Sequence, residues 1–155
     1  MKRLPLAIVA VLAALFATAV LGAGLAAGSS ASSGTTVTTV KVAKSRFGKI
    51  IVDGRGRSLY LFEKDRRGHS ACSGACASYW PPLLTTGKPV AGTGAKKALL
   101  GTIRRANGKK QVTYSGHPLY RFVQDTRPGQ VKGQDTHFFG GGWYVISPAG
   151  KKIGD

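Results

Sequence analysis

The sequence is short of acid, of sulfur and of helical periodicity, and each shortage removes a class of chemistry. Only six Asp and Glu stand among 155 residues, against 23 Lys and Arg. A glycosidase working through paired carboxylates could draw only on Asp65 and Asp125, or on Glu63 with one of them. Sulfur is confined to one Met and two Cys, Cys72 and Cys76. Their spacing is neither the Cys-x-x-Cys of thioredoxin-like enzymes nor a haem-attachment sequence, which argues against both chemistries. No Gly-x-Ser-x-Gly elbow occurs. The Gly-rich Asp53-Gly54-Arg55-Gly56-Arg57 has no helix with a following Lys and Thr, so it reads as a hairpin connection and not as a phosphate cradle. After residue 40 no segment keeps a long 3.6-residue period. One short helical turn is expected around Ser73 to Tyr79, stopped by Pro81-Pro82.

Long apolar runs are missing too, except at the start. Lys2 and Arg3 precede an uncharged stretch from Leu4 to Ala27, and small residues gather at Ala23, Gly24, Ala26 and Ala27. This is the pattern of a secretory signal peptide over residues 1–27. The alternative is an uncleaved anchor, because the run can span a bilayer needing ~20 residues. Its Gly and Ala ending, with no positive stop at once, favours cleavage. A lipid anchor needs a Cys at the cleavage point, and the first Cys is Cys72, so export without a lipid is expected. Residues 28–39 are rich in Gly, Ser and Thr and read as a flexible linker. The remainder, residues 40–150, suits one domain, whereas two domains of ~55 residues each would be marginal.

That domain says one thing twice. Leu59-Tyr60-Leu61-Phe62-Glu63-Lys64-Asp65 returns 60 positions later as Leu119-Tyr120-Arg121-Phe122-Val123-Gln124-Asp125, and Gly56 and Gly116 keep the offset. Two modules are expected, at about 40–90 and 95–150. In the second, Asn107-Gly108 lies between β-prone runs at Leu99 to Arg105 and Gln111 to Tyr114, a strong hairpin signal. Pro118 fits only the start or edge of the next strand. The first module parallels this with Val40 to Ala43, a turn near Phe47-Gly48, Lys49 to Val52, and Leu59 to Phe62. Gly140-Gly141-Gly142 leads into a last strand, Trp143 to Ile146. The fold class is all-β, in one compact domain of two related antiparallel modules.

Side chains alternate along a strand, so Tyr60 with Phe62, and Tyr120 with Phe122, share a face. Arg121 occupies the opposite face, which makes the ring face the core face. Asp65 and Asp125 lie beyond the strand ends. Read structurally, the rings fill a core and each Asp accepts N–H bonds in the turn that follows. Read functionally, the two Asp residues are twin ligands or recognition groups related by pseudo-symmetry.

The repeated Tyr-x-aromatic-x-x-Asp behind a signal peptide resembles the bacterial secreted-repeat family, often described as lipoproteins with that motif. The resemblance spans about residues 40–150. It takes in Cys72-Ser73-Gly74-Ala75-Cys76-Ala77 leading to Trp80-Pro81-Pro82-Leu83, Leu100-Gly101-Thr102, Gln111-Val112-Thr113-Tyr114, Pro118-Leu119-Tyr120 and Gly142-Trp143-Tyr144-Val145. It implies an envelope or extracellular location and no established biochemical function. The chain departs from the lipoprotein description in lacking the acylated Cys.

In an exported protein two nearby Cys residues point to a Cys72–Cys76 disulfide. The loop is small, so its gain is on the order of 2 kcal/mol. The alternative is a metal or redox site on His69, Cys72 and Cys76, since thiolates with imidazole suit copper or zinc. Only three ligands are local, and a fourth would have to come from His117, His137 or an Asp. The three His residues all border Gly, Pro or Thr turns, which favours solvation over catalysis. Asp135 and His137 could share a proton, but no nucleophile pairs with them.

Charge is the remaining signal. Without Lys2 and Arg3, 21 basic residues face six acidic ones, a net of +15. Such an exported protein is drawn to anionic cell-wall polymers or lipid head groups by long-range attraction. Nucleic acid would attract it equally, but the rings are expected inside, so no stacking platform for bases is indicated. The expected role is a non-enzymatic binding or structural module of the cell envelope, with no cofactor and no identified small-molecule substrate. The alternative is the redox or metal-handling accessory centred on the Cys pair.

Overall fold

The computed structural model describes residues 37–154; the expected signal peptide and most of the linker lie outside the described residues. Two hairpins open the two modules. β1 (Thr39–Ser45) and β2 (Gly48–Asp53) pair from Val40↔Asp53 to Ser45↔Gly48. β6 (Leu100–Arg104) and β7 (Lys110–Tyr114) pair in the same way from Leu100↔Tyr114 to Arg104↔Lys110, closed by the expected Asn107-Gly108 turn. The first strand thus starts at Thr39, inside the expected linker.

Each hairpin is followed by a turn and a signature strand. β3 (Tyr60–Phe62) is the first signature strand. In the second module β8 (His117–Pro118) pairs back on β7, and the chain runs on through Leu119 to Phe122. Gly56 and Gly116, the glycines that kept the repeat offset, sit at φ 84° and 82°. Only glycine adopts that left-handed region without strain, which is why both turns carry it.

Beyond the signature strands the modules diverge. The first continues through α1 (Ala75–Tyr79), the expected short helix, to β4 (Leu84–Thr85) and β5 (Val90–Ala91), which runs parallel to β1. The second forms β9 (Thr136–Phe138) and β10 (Gly141–Val145), an antiparallel pair. The protein is mainly β and antiparallel, as the sequence implies.

The sequence modules are not the spatial halves. β10 of the second module pairs with β3 of the first, and Ile51 N–H donates to Ile146 C=O (2.8 Å). Reciprocally, β4 of the first module pairs with β7 of the second, and Val112 N–H donates to Leu83 C=O (2.8 Å). Leu83 N–H also donates to Leu119 C=O, and Arg121 N–H to Pro81 C=O, each at 2.9 Å. Each hairpin and its signature strand are therefore completed by the tail of the other module. An exposed strand edge carries unpaired N–H and C=O groups, and the exchange covers those edges.

The core lies on both faces of this ribbon. On one face Tyr60, Phe62, Trp80, Tyr120, Phe122 and Trp143 pack with Ile50, Val52 and the Cys pair. On the other, Leu59, Leu61, Leu83, Leu119, Val112 and Tyr114 pack with Val40 and Ile51. Because each module borrows a strand from the other, fragments 37–96 and 97–154 should each fail to fold alone. Mixed together, they should regain native near-ultraviolet circular dichroism. A native-like spectrum from either fragment by itself would contradict the exchange.

Candidate functional site

The two signature strands meet at their tyrosines. Tyr60 N–H donates to Tyr120 C=O (2.9 Å) and Tyr120 N–H to Tyr60 C=O (3.0 Å), so the two residues form a doubly hydrogen-bonded antiparallel pair. A local two-fold relation runs through this pair. Each phenol then crosses to the carboxylate of the other copy. Tyr60 O–H donates to Asp125 Oδ2, and Tyr120 O–H to Asp65 Oδ2 at 2.7 Å. Each Asp completes its shell with a loop N–H, Asp65 from Ala71 (2.7 Å) and Asp125 from Lys132 (3.0 Å).

The rings obey the same relation. Trp80 and Trp143 stack with centroids 3.9 Å apart and planes 4° from parallel. Phe122 stacks on Trp80 (4.3 Å) and Phe62 on Trp143 (4.1 Å), giving a column of four rings drawn alternately from the two copies. Tyr60 meets Trp80 edge-on, and Tyr120 meets Trp143 edge-on, both at 5.2 Å. Gly133 has no room for a side chain here, since a Cβ would lie 2.5 Å from the Trp80 indole. The tryptophans lie 63 positions apart, off the 60-residue repeat, so the offset that exposed the signature does not expose them.

Five of the six signature residues are buried, and Asp65 is half-buried. The aspartates accept loop N–H bonds, as the structural reading expects, and also bind the opposite tyrosine, which neither reading includes. Burial, then the neighbouring carboxylate, pushes the Tyr60 phenol far above its usual range. Burial and Asp65 do the same to Tyr120. Both phenols therefore stay protonated donors and cannot act as bases near neutrality.

Cys72 and Cys76 are joined in a disulfide, with Cα atoms 5.3 Å apart. Cys72 precedes α1 and only Cys76 lies in it, so the short helix does not separate the sulfurs. His69 is exposed and lines a cavity of about 320 Å3 with Ser70, Cys72, Arg104 and Arg105. Arg105 ties this loop to the second hairpin, donating to Ser70 Oγ (3.0 Å) and to Cys72 C=O. Among the described residues no three His, Cys, Asp or Glu side chains converge as a metal-ligand set. His117 is half-buried, and His137 lies on the surface 3.6 Å from Asp135.

A charged cluster on the far face of the second signature strand is the feature that sequence reasoning missed. Asp53, at the end of β2, accepts from Arg121 Nε (2.7 Å) and from Arg57 Nε (3.2 Å) and Nη2 (3.1 Å). Backbone N–H groups of Arg55 (2.9 Å) and Arg57 (3.0 Å) cap its other oxygen. The available signal was alternation itself, which set Arg121 opposite the ring face.

A family described as a secreted repeat of unknown function matches residues 41–84 and 101–147. The chain belongs to this family. It is accordingly a secreted protein, and the two matched segments are the two copies of hairpin, signature strand and tail. No curated protein and no solved structure matches the chain. In this secreted repeat the shared motif is a set of contacts between copies, not within one.

Two sets of outcomes test these assignments. Phe122→Ala should cost about 3–5 kcal/mol by emptying one place in the ring column. Tyr60→Phe, which strips Asp125 of a donor but keeps the ring, should cost about 1–3 kcal/mol. Urea unfolding of both variants checks that order; a larger loss from Tyr60→Phe would make the hydroxyl the dominant element.

Acid titration separates the aspartates. Burial pulls the Asp53 carboxyl upward, but the Arg121 and Arg57 guanidiniums outweigh that and hold it below the usual range. Its stabilisation is therefore present above an unfolded value of about 3.9 and is lost as pH falls through the folded value. Asp65 has the opposite sign: burial raises it despite the Ala71 N–H and Tyr120 O–H. Its contribution is present below the unfolded value and is lost as pH rises through the folded one. Asp53→Asn should flatten the acid loss of stability and Asp65→Asn should steepen it, as read from urea midpoints at successive pH values.

Proposed function

We propose that this secreted repeat is a non-enzymatic module that binds anionic polymers or lipid head groups outside the cell. The observation that carries the reading is where the acids go. Asp53, Asp65 and Asp125 are turned inward by the bonds described above, and Glu63 is held by Lys152 (2.8 Å). Asp135 beside His137 is the remaining carboxylate among the described residues. The cations stay outside with little to neutralise them.

They are also concentrated. Lys88, Lys97 and Lys110 rim a cavity of about 630 Å3 on the β4–β7–β6 face. Lys109 and Lys110 border a neighbouring one of about 520 Å3 beside Leu84 and Gly108. All four lysines are exposed. A face of this kind raises the local concentration of polyanions and holds them by several weak contacts. Inert chemistry supports the same reading, because the motif residues are committed to one another and their phenols are locked as donors.

The protein should be retained on isolated anionic wall polymer at ~0.15 M ionic strength, where the screening length is about 8 Å. Lys97→Ala with Lys110→Ala should weaken retention and lower the slope of log affinity against log salt by about 1–2. Complete elution of the native protein at that ionic strength would overturn the reading.

A further inference from the structure

The two-fold relation between the copies fails at one place, and the failure creates a pocket. The hairpins correspond as Ile51 to Val112, because each takes the equivalent bond from the exchanged tail and from its own signature strand. Asp53 then corresponds to Tyr114, and Leu61 to Arg121 by the 60-residue offset. Tyr114 and Leu61 both belong to one buried apolar cluster. At the related position, Asp53 and Arg121 instead line a cavity of about 400 Å3, with Arg55 and Arg57 beside them.

A salt bridge added only for stability would need one cation for the one carboxylate. Here two guanidiniums, Arg57 and Arg121, hold the carboxylate, and Arg55 lines the same cavity as a third cation. Asp53 uses Nε and one terminal nitrogen of Arg57 but only Nε of Arg121. The terminal nitrogens of Arg121 and the whole Arg55 fork make no hydrogen bond to the described residues. Planar donors of Arg57 and Arg121 held in place by a buried carboxylate, with the free Arg55 fork beside them, match an oxyanion with several acceptor oxygens. We infer that Arg55, Arg57 and Arg121 form a subsite for a phosphoryl group, with Asp53 as the positioning residue. The inference rests on the anionic-ligand reading above and narrows it, since phosphoryl groups are the repeating charge of one class of such ligands.

The test titrates the secreted protein with inorganic phosphate at constant ionic strength, following Arg Nε–H resonances and heat. Saturable binding at one site is expected, with shifts confined to the three arginines. Arg55→Gln removes an exposed side chain that holds nothing else, and should weaken binding about tenfold, the size of one lost charged hydrogen bond. Arg121→Leu should weaken binding likewise but also lower the melting temperature, since it leaves the buried Asp53 carboxylate with one guanidinium fewer, so Arg55→Gln is the variant that reads binding alone. Unsaturable native binding, or native affinity in a folded Arg55→Gln variant, would overturn the subsite.

Poly(glycerol phosphate) and phosphatidylglycerol vesicles serve as competing probes. Displacement of bound phosphate by the polymer identifies a wall source and displacement by vesicles a lipid source. Failure of both to displace it overturns the link to a surface ligand. Polymer retention that persists while phosphate affinity is unchanged in both variants overturns the subsite alone. A saturable phosphate site on a protein that no polymer or vesicle retains overturns the broader reading alone.

Discussion

The whole architecture depends on one antiparallel contact, the pair of backbone hydrogen bonds between Tyr60 and Tyr120. Once those residues face each other, both phenols are carried to the far side of the local axis, within reach of the opposite aspartate. The indoles follow, because each tail strand must lie along the signature strand of the other copy. One edge of each signature strand is spent on the central pair. Its other edge, if left open, would leave unpaired backbone groups in the core. The tail of the other copy closes it.

Magnitudes say what each part contributes. Every ring pair adds about 0.5–1.5 kcal/mol beyond its burial, and burying the rings themselves adds more. A hydrogen bond to a charged group nets about 1.5–3 kcal/mol, from which the cost of desolvating the carboxylate must be recovered. The column of rings therefore supplies most of the stability. The Tyr–Asp bonds supply register, since a one-residue slip would carry the rings to the opposite face and leave the buried Asp125 without its tyrosine.

Much of this fold is written in short-range pattern. Asn107-Gly108 marks its hairpin, alternation assigns Tyr60 and Phe62 to one face, and the offset of Gly56 and Gly116 marks two equivalent turns. What the pattern omits is the partner. An Asp just past a strand end looks the same in sequence whether it caps its own loop or reaches another copy. The tail exchange is invisible for the same reason, because periodicity fixes which face a residue occupies and not which neighbour covers it. Trp80 and Trp143 escape the repeat because the loops before them differ in length, so equal spacing is lost although the spatial relation is kept. The Asp53 and Arg121 cluster sits where the copies disagree, and a search for matches passes over disagreements.

The same economy of acid links the interior to the surface. Three of the few carboxylates are drawn inward, two to bind tyrosines and one to bind arginines, and the two bound to tyrosines leave surface cations without a counter-charge. In the proposed reading the two kinds of cation divide the work of binding. Lysines such as Lys97 and Lys110 are hydrated point charges on flexible stems, suited to gathering a polyanion from a distance and yielding to salt. Arg121 and Arg57 are planar and already held by Asp53, so less freedom is lost when an oxyanion arrives. Under that reading, long-range attraction and local recognition rest on different residues of one scaffold, and Leu61 at the position related to Arg121 shows that the fold does not itself demand a charge there.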